Sequence, residues 1–73
     1  MEISINTGPG SSKIAVMALN GELDASNYLD VIDQVRRLYR NGKDQLIIDL
    51  SDLKFLSSSG LVALHSAALI MRG

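Results

Sequence analysis

Residues 45–61 read QLIIDLSDLKFLSSSGL, and this stretch decides the fold. Its first part, Gln45–Leu50, is a compact apolar run bounded by polar residues, which predicts a buried central strand. The next part, Ser51–Leu56, is predicted to be a connection. Ser57–Gly60 then opens a helix, because serine oxygens cap helix starts and the apolar pattern that follows is helical.

The helix that follows this stretch is unusually apolar. From Leu61 to Met71 only His65 and Ser66 interrupt the apolar residues. A helix that is apolar all round must be covered on more than one side. We therefore expect His65 to be a core or interface histidine, and three strands and one other helix to be too few to cover this segment.

A second helix is predicted upstream of the central stretch. Asp24 and Ser26 are both N-cap candidates, and Asn41-Gly42 supplies the stop, since glycine readily adopts the left-handed conformation. Acidic residues come early and basic residues late, as the helix dipole prefers. Apolar residues recur at steps of three and four, as in an amphipathic helix, at Tyr28, Val31, Ile32, Val35, Leu38 and Tyr39.

Two short strands complete the pattern near the start of the chain. Ile3 and Ile5 alternate with polar residues, and Lys13–Leu19 carries apolar residues on both faces, which favours an interior position in a sheet. Thr7–Ser12 contains two glycines and a proline and is predicted to be a hairpin loop. A strand, a helix and a further strand predict a right-handed crossover. The fold class is thus α/β, a mixed sheet with helices packed against it.

Composition excludes several classes of function. The chain has no cysteine and one histidine, so neither a metal site nor a catalytic triad is expected, and we predict no enzyme and no cofactor. Gly8-Pro9-Gly10 lacks the lysine and the following helix of a phosphate loop. A formal net charge of −1 argues against nucleic-acid binding, and Arg36, Arg37 and Arg40 are interpreted as a solvated helix face. No segment has the apolar length needed for membrane insertion, so a cytoplasmic protein is expected.

Two segments together resemble the STAS family, the sulfate transporter and anti-sigma factor antagonist domains. The first is Gly21-Glu22-Leu23-Asp24, directly before the first long helix. The second is the stretch 48–61, which looks like the family's strand, loop and helix-start pattern D-L-S-x-x-x-F-[ILM]-D-S-S-G-L. The distance between the two segments suits the intervening helix.

The resemblance implies an anti-sigma factor antagonist that controls transcription by partner switching. Its partner would be an anti-sigma factor of the serine kinase type, which phosphorylates the serine after the aspartate of D-S-S-G, here Ser58. Ser57 stands in place of that aspartate, and Ser57 and Ser59 are the less favoured acceptors. Ordinary N-capping is the simpler reading of the three serines. The implied partner-binding residues are Gly21, Glu22, Asp24, Ser57, Ser58, Ser59, Gly60 and Leu61.

The resemblance also bears on domain organisation. Family members continue past the second helix to a further strand and helix, so residues 1–73 are interpreted as a single STAS-like domain, truncated after the second helix, whose C-terminal strand and helix are missing. The uncovered last helix then predicts homo-oligomerisation or low stability. A monomer that melts cooperatively would contradict this expectation.

Two other functions stay open from the sequence. One is a STAS interaction module without phosphorylation, in a stress-signalling assembly or in a sulfate or lipid transporter. The serine at position 57 favours it modestly. The other is a small-ligand or nucleotide site at the strand ends, as α/β sheets often provide, although no residue constellation supports it.

Overall fold

We describe residues 1–7 and 13–73 of a computed structural model of the chain. Most of the predicted hairpin loop Thr7–Ser12, including Gly8-Pro9-Gly10, lies outside these residues. The elements in chain order are β1 (Glu2–Asn6), β2 (Ile14–Leu23), α1 (Tyr28–Arg40), β3 (Gln45–Leu56) and α2 (Ser58–Arg72).

The sheet is mixed, as predicted, with the strand order β1-β2-β3. β2 lies in the middle, because it hydrogen-bonds to β1 along one edge and to β3 along the other. It pairs antiparallel with β1, where Ile5 lies opposite Met17. It pairs parallel with β3, where Met17 lies opposite Ile48. Parallel pairing requires a crossover, and α1 is that crossover.

Both helices pack on one face of the sheet. Alternate residues of β2 turn to that face, and Met17 and Leu23 are completely buried there. On the opposite face Ile14 and Ile47 remain 42% and 57% exposed. The fold therefore has two layers, with the core between them. This core consists of Ala15, Met17, Leu19, Leu23, Val31, Ile32, Val35, Leu38, Ala63 and Ala67.

The prediction of a buried central strand for Gln45–Leu50 is wrong. β3 lies at the edge of the described sheet, and it continues through Ser51–Leu56, which was predicted to be a connection. Leu46 and Ile48 turn to the helices, while Ile47 turns away and stays exposed. A continuous apolar run therefore does not distinguish an edge strand from a central one when the helices cover one face alone.

β2 is also longer than predicted. The pattern predicted a strand over Lys13–Leu19, yet β2 runs on to Leu23. Gly21 has φ +112°, a value that a residue with a side chain rarely adopts, and the pairing with β3 shifts register directly after it. The glycine thus marks an irregularity within the strand rather than its end.

α1 ends where predicted but begins later than either predicted N-cap implies. The N-cap is Asn27, so the predictions of Asp24 or Ser26 for this position are wrong. The Asp24 carboxylate instead accepts hydrogen bonds from the backbone N–H and the hydroxyl of Ser26, at 3.0 and 2.6 Å. Asn41 is the C-cap, followed by Gly42 at φ +91°.

α2 begins directly after β3. Its small residues Gly60, Ala63 and Ala67 face the core, which brings the helix backbone close to the sheet. His65 is exposed, so a core position for it is wrong, while the alternative, a place in an interface, stays a prediction. The pattern did not predict this, because the small residues bury one side of α2 and leave large apolar residues on the other.

Candidate functional site

The two segments that resemble the family motif meet at one end of the sheet. We call Gly21–Asp24 the acidic loop and Ser57–Gly60 the serine turn. The Ser57 backbone N–H donates to the Leu23 carbonyl oxygen at 3.0 Å. Parallel pairing of Leu23 with Leu56 sets this contact, because both strands end at the same edge of the sheet.

The three serines of the turn have different environments. Ser57 is the N-cap of α2, has extended backbone angles, and accepts a hydrogen bond from the Gly60 N–H at 3.2 Å through its side chain. Ser59 is half-buried in the first turn of the helix. Ser58 is exposed and is the first helical residue. Of the three hydroxyls, the one on Ser58 is therefore the most accessible to another protein.

Gly60 fixes the approach of α2 to the sheet. It is buried, and a Cβ atom at this position would lie 2.5 Å from Leu56 Cδ1 and 2.9 Å from Leu23 Cγ. The same atom would lie 3.0 Å from the Leu23 carbonyl oxygen, which belongs to the backbone and has little freedom to move. The serine turn therefore keeps its position only with glycine here.

The acidic loop is held by hydrogen bonds to Ser26 and Asn27, which follow it in the chain. Asn27 Nδ2 donates to the Glu22 carbonyl oxygen at 2.8 Å, and the Asp24 backbone N–H donates to Asn27 Oδ1 at 3.0 Å. The Ser26 hydroxyl, followed by the Ser26 backbone N–H, lowers the pKa of Asp24 because both donate to the carboxylate. The loop thus presents an ionised carboxylate from a fixed backbone.

A second aspartate, within β3, is stabilised in a similar way. The Ser51 backbone N–H donates to the Asp49 carboxylate at 2.9 Å, and this bond is the main cause that lowers the pKa of Asp49. Both residues are exposed on β3. The hydrogen bond between them is local, between residues two apart in the chain.

Apolar side chains flank the exposed hydroxyl of Ser58. Leu61 and Val62 follow it by three and four residues, the spacing that places side chains on one face of a helix. They are 57% and 52% exposed. Beside the acidic loop, Phe55 of β3 pairs with Glu22 and is 53% exposed. This end of the molecule combines a hydroxyl, apolar side chains and carboxylates on a rigid backbone, a composition suited to a protein interface.

The eight candidate partner-binding residues lie at this end of the sheet, but they do not all reach its surface. Gly60 is buried and Gly21 is half-buried, with the Cα atom of Met1 at 3.4 Å from the place of its missing Cβ. These two glycines shape the backbone. Glu22, Ser58 and Leu61 are exposed and available for direct contact.

Sequence reasoning missed two residues that build the site. Asn27 clamps the acidic loop through its side chain, which makes no capping hydrogen bond to α1. The signal that could have found it is its position just before a helical pattern, since asparagine favours N-caps. Leu23 was noted only as part of a motif. Its side chain is completely buried, and its carbonyl oxygen accepts the hydrogen bond from the Ser57 N–H. This contact joins distant parts of the chain, and no local pattern indicates it.

The described ranges, residues 1–7 and 13–73, also bear on metal binding and membrane insertion. This part of the chain contains no group of three or more histidine or acidic side chains arranged to hold a metal ion. Within the same ranges, no helix combines the length and the apolar character needed to cross a membrane.

Comparisons with known proteins agree with the motif. A family model of the STAS domain matches residues 7–71, and the chain therefore belongs to the STAS domain family. A solved structure of the anti-sigma factor antagonist SpoIIAA in its unphosphorylated form has a TM-score of 0.78 to this chain at 17% sequence identity. The match covers 97% of this chain and 64% of that one. At this level of identity the likeness shows the fold. The comparison with curated proteins gave no match.

Proposed function

We propose that the chain is a regulatory binding domain that acts as an anti-sigma factor antagonist. The acidic loop and the serine turn bind an anti-sigma factor of the serine kinase type, and phosphorylation of Ser58 releases that partner. The observation that carries this proposal is the exposure of Ser58 at the start of α2. Its neighbours are Ser57, whose hydroxyl caps the helix, and the half-buried Ser59.

The position of Ser58 suits phosphorylation without unfolding. The first turn of a helix has N–H groups without partners in the helix, and its dipole favours negative charge. A phosphate of about −1.5 to −2 charge is therefore tolerated there by the folded domain. The capping hydrogen bond uses the Ser57 hydroxyl and not that of Ser58, so modification leaves the cap in place.

The same phosphate opposes docking. Leu61 and Val62 are exposed beside Ser58, and a partner that covers them must also remove water from the modified side chain. Burying a charge without a partner group is strongly unfavourable. Binding of the unmodified form and release of the phosphorylated form follow.

A second candidate is an interaction module that docks without being phosphorylated, in a stress-signalling assembly or a transporter. The observation that favours it is Ser57, which occupies the place of the family's aspartate. As an N-cap it replaces the aspartate fully, since both side chains accept from the helix N–H groups. It does not supply the negative charge that a kinase can recognise next to the acceptor.

The first test is phosphorylation by a purified kinase-type anti-sigma factor from the same genome, with ATP, followed by intact-mass measurement. We expect one added phosphate on the wild type and on Ser59→Ala, and none on Ser58→Ala. Ser59→Ala is the matched control because it removes a neighbouring hydroxyl. Phosphate on Ser58→Ala, or none on the wild type, would contradict the assignment.

Binding separates the two candidates. If phosphorylation of Ser58 releases the partner, Ser58→Glu weakens the complex with the anti-sigma factor and Ser59→Ala does not. If the wild type takes up no phosphate and still binds, the non-phosphorylated module is the better description. If neither form binds, the proposed partner class is wrong.

A further inference from the structure

The charges of the chain are separated along its length. β2 and β3 both run toward the serine turn, and both helices run back from it. The acidic loop and Asp52 therefore lie at one end, while Lys54 is the one basic residue there. Among the described residues, the opposite end holds the other six of the seven basic residues together with Asp33 and Asp44. These basic residues are Lys13, Arg36, Arg37, Arg40, Lys43 and Arg72. A net charge of −1 conceals this separation.

At the basic end a shallow, open site lies between the two helices. This basic groove has a volume of about 480 Å³ and is lined by Asp33, Arg36, Tyr39, Arg40 and Ile70. Tyr39 is 41% exposed, and Ile70 is half-buried. The groove thus combines two guanidinium groups with an aromatic and an aliphatic side chain. The sequence alone indicated no more than a solvated helix face here.

The two arginines of the groove are not neutralised by the fold. Arg36 has one weak ion pair, at 3.8 Å to the Asp33 carboxylate, and both side chains are more than half exposed. Such pairs contribute little. Arg40 has no acidic partner within 4.0 Å among the described residues. Both guanidinium groups are therefore free to bind carboxylates of another molecule in the two-pronged geometry that arginine favours.

We propose that the basic groove is a second docking site, which binds an acidic polypeptide segment. Arg36 and Arg40 are one helical turn apart, so they match carboxylates spaced about 6 Å from each other. An apolar side chain between these carboxylates would pack on Tyr39 and Ile70. The site lies at the opposite end from Ser58 and does not depend on the function proposed there.

The chemistry of the groove favours a peptide over other anionic partners. A nucleic acid would need several stacking aromatics and a broad basic surface. Tyr39 is the one aromatic residue that lines the groove, and Asp33 lies on its rim. A membrane surface would need a flat or protruding basic patch with apolar side chains that insert. The groove is a shallow depression that mixes charge with apolar surface, as grooves that bind amphipathic segments do.

The test uses a fluorescein-labelled helical peptide of glutamate and leucine, about 15 residues long, in a fluorescence anisotropy titration at low salt. We expect saturable binding to the full chain. Arg36→Gln and Arg40→Gln should each weaken it roughly fivefold, since each removes a charged contact. Arg37→Gln is the matched control, because it removes the same charge from α1 outside the groove and should change affinity less than roughly twofold.

Several results would overturn the proposal. Equal losses of peptide affinity in Arg37→Gln and Arg40→Gln would mean that the peptide is attracted by net charge alone. An absence of saturable binding would mean that no such site exists. Single-stranded DNA or phosphatidylserine vesicles would be the better partners if they bound more tightly than the peptide and if Arg40→Gln weakened their binding to a similar degree. Weakening by Ser58→Glu would place the peptide at the serine turn. Unchanged peptide affinity in Ser58→Glu supports a separate site.

Discussion

Replacing Gly60 by alanine tests the packing on which the serine turn depends. The added methyl carbon would lie 2.5 Å from Leu56 Cδ1, 2.9 Å from Leu23 Cγ and 3.0 Å from the Leu23 carbonyl oxygen. The two leucine side chains can adjust in part, but the carbonyl is fixed by the sheet. The start of α2 must therefore move away from β2.

The expected loss of stability is the difference between two effects. Overpacking of a dense site costs about 1–3 kcal/mol. Alanine favours a helix over glycine by up to about 1 kcal/mol, and less so in the first turn. The net destabilisation is therefore about 1–2 kcal/mol. With a urea slope of about 1 kcal/mol per molar for a domain of this size, the unfolding midpoint should fall by about 1–2 M.

Urea unfolding followed by circular dichroism measures this change, with Ser59→Ala as a control in the same helical turn. The control should stay within about 0.5 kcal/mol of the wild type, since it adds no atom. A Gly60→Ala domain as stable as the wild type, or more so, would show that helix propensity outweighs the close contact. The account of the serine turn would then be refuted.

Three further predictions concern the cap, the acidic loop and the edge strand. Ser57→Ala should lower the free energy of unfolding by about 1 kcal/mol in urea titrations, while Ser57→Asp should preserve it, and equal losses in both variants would argue against a capping role. The pKa of Asp24 in the fold lies below the ordinary value of 3.8. The ionised carboxylate therefore stabilises the folded state fully above that value, and this stabilisation is lost as the pH falls through the folded pKa. Melting temperatures of Asp24→Asn should then vary less below pH 3.8 than those of the wild type or of Asp44→Asn, and parallel profiles would count against the loop geometry. Sedimentation velocity should show concentration-dependent self-association through β3 and the exposed side of α2, reduced by Ile47→Lys at the sheet edge, whereas a monomer at every concentration would exclude it.

The sequence predicted the fold well wherever a pattern repeats. The steps of three and four residues in α1 and the two-faced apolar pattern of β2 each indicated the right element. β3 was misjudged because an apolar run reports hydrophobicity and not the number of neighbouring strands. Leu50 and Ile47 are apolar, yet they are 37% and 57% exposed at the sheet edge.

The candidate site was predictable as a set of residues but not as a structure. The motif pointed to both segments, although nothing local indicates that the Ser57 N–H would reach the Leu23 carbonyl. The N-cap of α1 was missed because Asp24, Ser26 and Asn27 are all good caps, and the choice among them depends on hydrogen bonds across the loop. Pairings between distant segments decide such details.

The separation of charge has a practical consequence for handling the protein. A molecule with an isoelectric point near 5.6 is expected to bind anion-exchange resins at neutral pH. The clustered arginines should also let it adhere, in one orientation, to sulfonated resins and to negatively coated sensor surfaces at low ionic strength. Immobilised in that way, it would direct Ser58 toward the solution, which suits assays of partners that dock there.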